Sequence, residues 1–295
     1  MKKWSATGNP TGRIAYVNGR YLPHALAGVH IEDRALQLGD GIYEVTNVIA
    51  GKPIDEEPHL DRMERSLREL GMAMPMGRAA LKLVMREMIA RNRVANGLLY
   101  LQVTRGAARR DHVPPKNPPR PTLILTMRAQ DMTALAARME KGIAVSTQPD
   151  IRWGRCDIKT VQLLPNLLAK QAAKQAGAFE AWLVDDDGYV TEGGSTNAWI
   201  VNGEGDVITR DLSHAILPGV TRRIMLDAMR DAQVKVVERK FTVAEALAAR
   251  EAFISSATGA AIPVVTIDGK RIGDGQPGPV TRRIPDLYAE KAGIK

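Results

Sequence analysis

The chain has 295 residues, 44% hydrophobic and 25% charged, which suits an ordinary globular protein too long for one typical core and long enough for two modest domains. Its net charge of +8 arises from 41 basic residues scattered among 33 acidic ones, with few aromatics and no long single-sign block. That pattern argues against a nucleic-acid binder and suits an anionic small molecule or a merely soluble surface. A single cysteine, Cys156, excludes an intrachain disulfide and any CxxC metal site. The start MKKWSATGNPTGR has no apolar segment of signal-peptide type, and no run is long and apolar enough to span a membrane, so a cytoplasmic protein is expected.

In chain order, residues 13 to 22 (RIAYVNGRYL) predict a hairpin around Asn18-Gly19. GIYEVTNVIAGKPI predicts a second, turning at Gly51-Lys52. PHLDRMERSLRELGM is an amphipathic helix with Pro58 near its start, a stripe of Leu60, Met63, Leu67 and Leu70, and Gly71 at its C-cap. A helix over about 78 to 95, the strand LLYLQVTRGAAR, a rigid loop RRDHVPPKNPPRP and the strand TLILTM complete an α+β half. We place a small N-terminal domain at 1–127, a connector at 128–138 and a larger domain at 139–295. The second half reads as a strand from KGIAVSTQPDIRW, a helix over 163–176 closed by Gly177, and two hairpins, EAWLVDDDGYVTEGG and NAWIVNGEGDVITR. The helices PGVTRRIMLDAMRDAQ and TVAEALAAR follow, and EAFISSATGAAIPVVTIDG closes as strand, turn and strand.

Four features have chemical capability. Lys159 lies where a polar stretch gives way to the apolar opening of a helix. An ammonium is costly to bury, so this lysine either snorkels outward or is wanted inside, where a desolvated amine forms Schiff bases. Glu192 in TEGGSTN precedes two glycines that allow close backbone approach, and either holds a ligand N–H or sits in a solvated turn. Pro218-Gly219-Val220-Thr221 and Ser255-Ser256-Ala257-Thr258-Gly259 offer amide groups to a phosphate, with Arg62 as a further donor, or are ordinary caps. Arg110 and His112 alternate in a loop stiffened by Pro114 and Pro115, a fork for a carboxylate or a basic exposed loop.

Taken together, LGDGIYEV, HLDR, VTRGAARRDH, CDIK, TEGGSTN and LPGVTR occur in an order that resembles the fold-type IV pyridoxal-phosphate aminotransferases over roughly residues 13 to 285. Within that family the Arg-x-His segment is most similar to the D-amino acid aminotransferases. The resemblance implies an α+β, two-domain fold with a small N-terminal domain and a larger, β-barrel-like C-terminal domain. It implies pyridoxal 5′-phosphate held as a Schiff base by the catalytic Lys159, with Glu192 on the pyridine nitrogen and Leu217 against the ring. Arg62, Thr221 and the backbone of Val220 and Ala257 would take the phosphate. Tyr43, Arg110, His112 and Thr258 would take the substrate, and no metal is implied. It further implies transamination between D-amino acids and 2-oxo acids, in a homodimer whose Arg110–His112 loop reaches the neighbouring active site. Neither nucleic acid nor membrane is an expected partner.

Two positions depart from the family pattern. Ala257 replaces a frequent hydroxyl, and Ala260-Ala261-Ile262-Pro263 stands where relatives often have Glu-Ile-Thr-Pro. These leave a branched-chain L-aminotransferase as the nearest alternative, with an aminodeoxychorismate lyase or an (R)-amine transaminase behind it.

Overall fold

The computed structural model describes residues 12–294. The described residues divide into two compact units, one running to Gln130 and including 158–162, the other comprising 131–157 and continuing from Leu163. The segment 158–162, which carries Lys159, groups with the first unit.

The first unit is built on six antiparallel strands. β1 (Ile14–Val17) and β2 (Arg20–Pro23) form the Asn18-Gly19 hairpin, both turn residues having positive φ (47° and 91°). A short helix α1 (Arg34–Leu38), absent from the sequence reading, is capped by the Asp33 carboxylate, which accepts from Ala35 N–H. β3 (Gly41–Ile49) turns through Ala50-Gly51, one residue earlier than expected, into β4 (Lys52–Pro53), because Ala50 also takes positive φ. α2 (Glu56–Glu69) and α3 (Arg78–Asn92) follow. α3 stops short of 95 because Arg93 turns left-handed. β5 (Gly97–Thr104) and β6 (Thr122–Ala129) complete the sheet in the order β2-β1-β6-β5-β3-β4.

Period-2 alternation in β3 buries Ile42, Glu44, Thr46 and Val48 and leaves Tyr43, Val45 and Asn47 half-buried. The buried side joins Leu60, Met63 and Leu67 of α2 and Leu81, Met85 and Met88 of α3 in one core.

The second unit carries a nine-stranded mixed sheet. α4 (Met132–Lys141), capped by Asp131, leads into β7 (Ile143–Pro149). α5 (Leu164–Gln175) has Pro165 in its first turn, where a missing N–H costs nothing. β8 (Glu180–Val184), β9 (Val190–Gly193), β10 (Asn197–Val201) and β11 (Val207–Thr209) are buried throughout or nearly so. Then come α6 (Val220–Asp231), β12 (Val236–Glu238), α7 (Val243–Ala248), β13 (Glu251–Ser256), β14 (Gly259–Ile267), β15 (Lys270–Arg271) and α8 (Pro279–Lys291). The hydrogen-bonded path runs β12-β11-β10-β13-β14-β7-β8-β9, and β9 also touches β10, so the sheet curls back on itself. This is the α+β fold with a barrel-like second half that the sequence predicts. Trp182 and Phe241 pack on one side with Val145 and Ile254, while Trp199 and Phe253 stack 5.4 Å apart on the other beneath α6 and α8.

Candidate active site

Lys159 sits in a five-residue segment, 158–162, bound along the start of β3 on the side not paired with β5. Tyr43 N–H donates to Lys159 C=O (3.0 Å), Val161 N–H donates to Gly41 C=O (3.1 Å), and Ile42 bridges Thr160. Ile158 and Thr160 are buried and Lys159 half-buried, so the strand-like alternation anchors its neighbours and turns the lysine away from that core. Its Nζ lies 4.1 Å from the centroid of the Tyr43 ring, which stacks in turn on Tyr100 at 5.7 Å. The placement at a junction is thereby explained: the main chain is fixed while the amine stays available. Burial, with Tyr43 adding to it, pushes the Tyr100 phenol up to about 12, so that hydroxyl keeps its proton at physiological pH.

On the buried face of the same strand, Glu44 accepts from Nε and Nη2 of Arg62, both at 2.8 Å, and lies 2.8 Å from His59 Nδ1. Burial alone would raise this carboxyl, yet the Arg62 fork and His59 pull it down to about 2. Arg62 is therefore a buried, oriented guanidinium rather than one of a row of solvated arginines. His59 and Glu44 went unassigned in the sequence reading, although HLDR and YEV hold them.

The Arg110–His112 segment is exposed beyond the end of β5, which stops at Thr104 rather than running on through 108. Arg34 grips it from inside, donating from Nη1 to Asp111 C=O (2.7 Å) and from Nη2 to His112 C=O (3.3 Å).

The second unit collects the remaining candidates. Glu192 in β9 is 5% exposed, not a solvated turn. Its carboxylate accepts from Asn197 Nδ2 (3.1 Å), from Leu217 N–H (3.1 and 3.2 Å to the two oxygens) and from Arg152 Nη1. Arg152 also forks onto Asp150 (2.9 and 2.7 Å) and donates to Ala215 C=O. Burial raises the Glu192 pKa; Arg152 and the Leu217 N–H oppose that rise, and the neighbouring Asp150 adds to it. This buried carboxylate, already bonded by a guanidinium and two amides, has the chemistry to accept a further cationic N–H such as that of a protonated pyridine.

Asn197 ties the rest together. Its Nδ2 reaches both Glu192 and Leu217 C=O, and its backbone lies opposite Ser255 in the β10–β13 register. Gly219 is the N-cap of α6, and a Cβ there would stand 2.1 Å from Asn197 Oδ1, so only glycine fits. No side chain caps this helix, which leaves the first-turn amides of Val220 and Thr221, both buried, to take an anion. Leu217 is half-buried just before it. Ala257 and Thr258 sit half-buried in the β13–β14 turn, where Ser256 Oγ lies 2.8 Å from Thr258 Oγ1. The register there is interrupted, and Ala261 adopts φ 50° while fully buried. The Ala260-Ala261 departure thus coincides with a bulge whose left-handed residue carries only a Cβ.

Sequence reasoning missed Arg152, Asp150 and Asn197. A D-x-R pair at the end of a strand, with an asparagine five residues after a glutamate, gives no periodic signal, and only the curled sheet brings them to one carboxylate.

Residues 41–267 match the family model described as amino-transferase class IV. The D-alanine aminotransferase of Staphylococcus epidermidis is 37% identical over 269 residues, covering 91% of this chain and 94% of that one. That of Bacillus licheniformis is 38% identical over 271 residues, covering 90% and 93%. Among solved structures, the branched-chain amino acid aminotransferase of Escherichia coli superposes with a TM-score of 0.87 at 22% identity, covering 97% of this chain and 96% of that one. The T.th. branched-chain amino acid aminotransferase complexed with N-(5′-phosphopyridoxyl)-L-glutamate gives 0.84 at 26%, with the same coverage. The chain belongs to the amino-transferase class IV family.

Proposed function

We propose that this chain is a pyridoxal-phosphate-dependent aminotransferase that moves the amino group of D-amino acids, D-alanine foremost, to 2-oxo acids such as 2-oxoglutarate. The observation that carries the reading is the Arg110-x-His112 segment in a chain whose curated relatives are D-alanine aminotransferases. The fixed backbone and available amine of Lys159 support the catalytic assignment.

In this reading Lys159 would hold the cofactor through its amine and Glu192 would accept from the ring N–H. Leu217 would lie against the ring, and Arg62, Thr221 and the amides of Val220 and Ala257 would take the phosphate. When bound, pyridoxal phosphate supplies an electron sink for charge developing at the substrate Cα. The chain's own residues do the rest. Arg110 and His112 supplied by the second copy, with this chain's Tyr43 and Thr258, would hold the substrate carboxylate and so fix which Cα bond is presented. The Lys159 amine would take the Cα proton as general base and later return a proton as acid. Glu192, as a carboxylate beside the bound ring, would favour the protonated form of that nitrogen.

The Arg110–His112 loop is exposed, and we assign it to the active site of a second copy in a homodimer. No helix among the described residues is long and apolar enough to cross a membrane, and a chain with one cysteine suits the reducing cytoplasm.

The second reading is a branched-chain L-aminotransferase, supported by the likeness to the 26%-identical T.th. structure and by the small residues at Ala260 and Ala261. Initial rates with D-alanine, D-glutamate, L-leucine and (R)-1-phenylethylamine as donors and 2-oxoglutarate or pyruvate as acceptor separate the two. D-Alanine should lead; L-leucine turned over faster than either D-amino acid would replace the first reading by the second.

A further inference from the structure

Arg34 belongs to no site motif considered so far, yet it is 3% exposed and makes contacts at three levels. Its Nε donates to Asp40 Oδ2 (2.8 Å), which also accepts from Arg105 Nε (2.7 Å). Its two terminal nitrogens donate to the carbonyls of Asp111 and His112. Its own N–H donates to Gly106 C=O (3.0 Å), and Ala108 N–H donates to Glu32 C=O (3.2 Å). Beside it, Asp33 accepts from Thr104 Oγ1 (2.8 Å) and bridges Ala107.

The Arg110–His112 segment thus leaves β5 through Gly106, where φ is +98° and a Cβ would stand 2.3 Å from Arg120 C=O. It is then stitched to residues 32–34 along its backbone and finally held by a charged fork. Asp40 fixes the third nitrogen of that guanidinium, so the fork has one orientation. An exposed loop has low intrinsic stiffness, and holding two side chains against a carboxylate requires it to be ordered beforehand.

Building on the D-amino acid reading above, we propose that Arg34 is a positioning residue for the substrate-carboxylate trap, presetting the backbone from which Arg110 and His112 project. It touches no substrate. It acts by removing the entropy that those two side chains would otherwise lose on binding.

The test is a kinetic cycle on the holoenzyme with D-alanine, using Arg34→Gln, Arg34→Lys, the Arg110→Ala/His112→Ala double variant, and Arg34→Gln placed in that double variant. Arg34→Gln should raise the D-alanine KM about 10-fold with kcat within about twofold. Lysine, a point charge without the fork, should restore little of this. In the background lacking both trap side chains, Arg34→Gln should add nothing further to KM. Amide hydrogen exchange provides a readout independent of turnover: the 106–113 peptide should exchange faster in Arg34→Gln, while β5 stays protected. An additive KM effect in the double variant, or unchanged exchange in 106–113, overturns the inference. If the double variant itself leaves the KM unaltered, the trap reading falls and the inference falls with it. If the double variant raises KM and Arg34→Gln does not, the inference alone falls.

Discussion

Glu44 in the first unit and Glu192 in the second are both buried strand carboxylates bound by an arginine, yet their proton affinities move in opposite directions. Glu44 accepts from two nitrogens of one guanidinium and lies beside an imidazole, and its pKa is held down to about 2 despite burial. Glu192 shares Arg152 with Asp150, whose own charge pushes against it, and burial prevails. The difference separates a carboxylate whose charge its surroundings favour from one whose charge burial disfavours despite its arginine. Glu44 holds Arg62 in place, whereas Glu192, in the proposed reading, would gain from a ring N–H.

Substitutions at these positions break or sharpen the contrast. The largest effect is expected from Glu192→Gln, which should lower kcat with D-alanine by about 10²-fold or more, because an amide does not stabilise a protonated ring nitrogen. The same change should cost the cofactor-free protein little stability, since a group whose folded pKa is raised contributes nothing favourable by ionising at neutral pH. Urea unfolding of both forms measures this. A stability loss as large as that of Glu44→Gln would erase the distinction.

Glu44→Gln should cost about 3 kcal/mol at pH 7, by stranding a buried guanidinium, with kcat falling only through weaker cofactor retention. Its pH dependence carries the sign. The folded pKa lies below the ordinary 4.5, so ionised Glu44 stabilises fully above about 4.5 and loses its contribution as pH falls through about 2. Stability curves of wild type and Glu44→Gln should therefore converge over that acid window and stay apart above it.

The smallest effect belongs to Asn197→Ala. Removing one amide donor from Glu192 and Leu217 C=O should lower stability by about 1 kcal/mol and weaken cofactor binding several-fold, read by equilibrium dialysis. No change in cofactor affinity would mean that Asn197 does not hold the Glu192–Leu217 arrangement.

Much of the fold was legible because its signals are local. The Asn18-Gly19 turn, the Leu60–Leu67 stripe of α2 and the Gly177 stop of α5 each rest on a few adjacent residues. α8 was missed, since QPGPVTRRIPDLY carries prolines at its start and inside it; Pro279 falls at the helix start where it is tolerated, and Pro285 is carried within while Thr281 and Ile284 are buried. β12 escaped notice because three residues pairing parallel to β11 show no alternation of their own. The site residues were named from motif order alone, and the contacts that surround them carry no sequence signal. Glu44, Arg152, Asn197 and Arg34 are selected by contacts across a sheet or a loop, and only folding reveals which polar residues become buried partners.

Borohydride reduction of the protein loaded with pyridoxal phosphate, followed by peptide mapping, tests the central assignment most directly. The account predicts a phosphopyridoxyl group fixed on Lys159, absent from Lys159→Ala, which should also lose about 10⁴-fold or more in turnover. A reduced cofactor recovered on another lysine, or a Lys159→Ala protein as active as wild type, would contradict it.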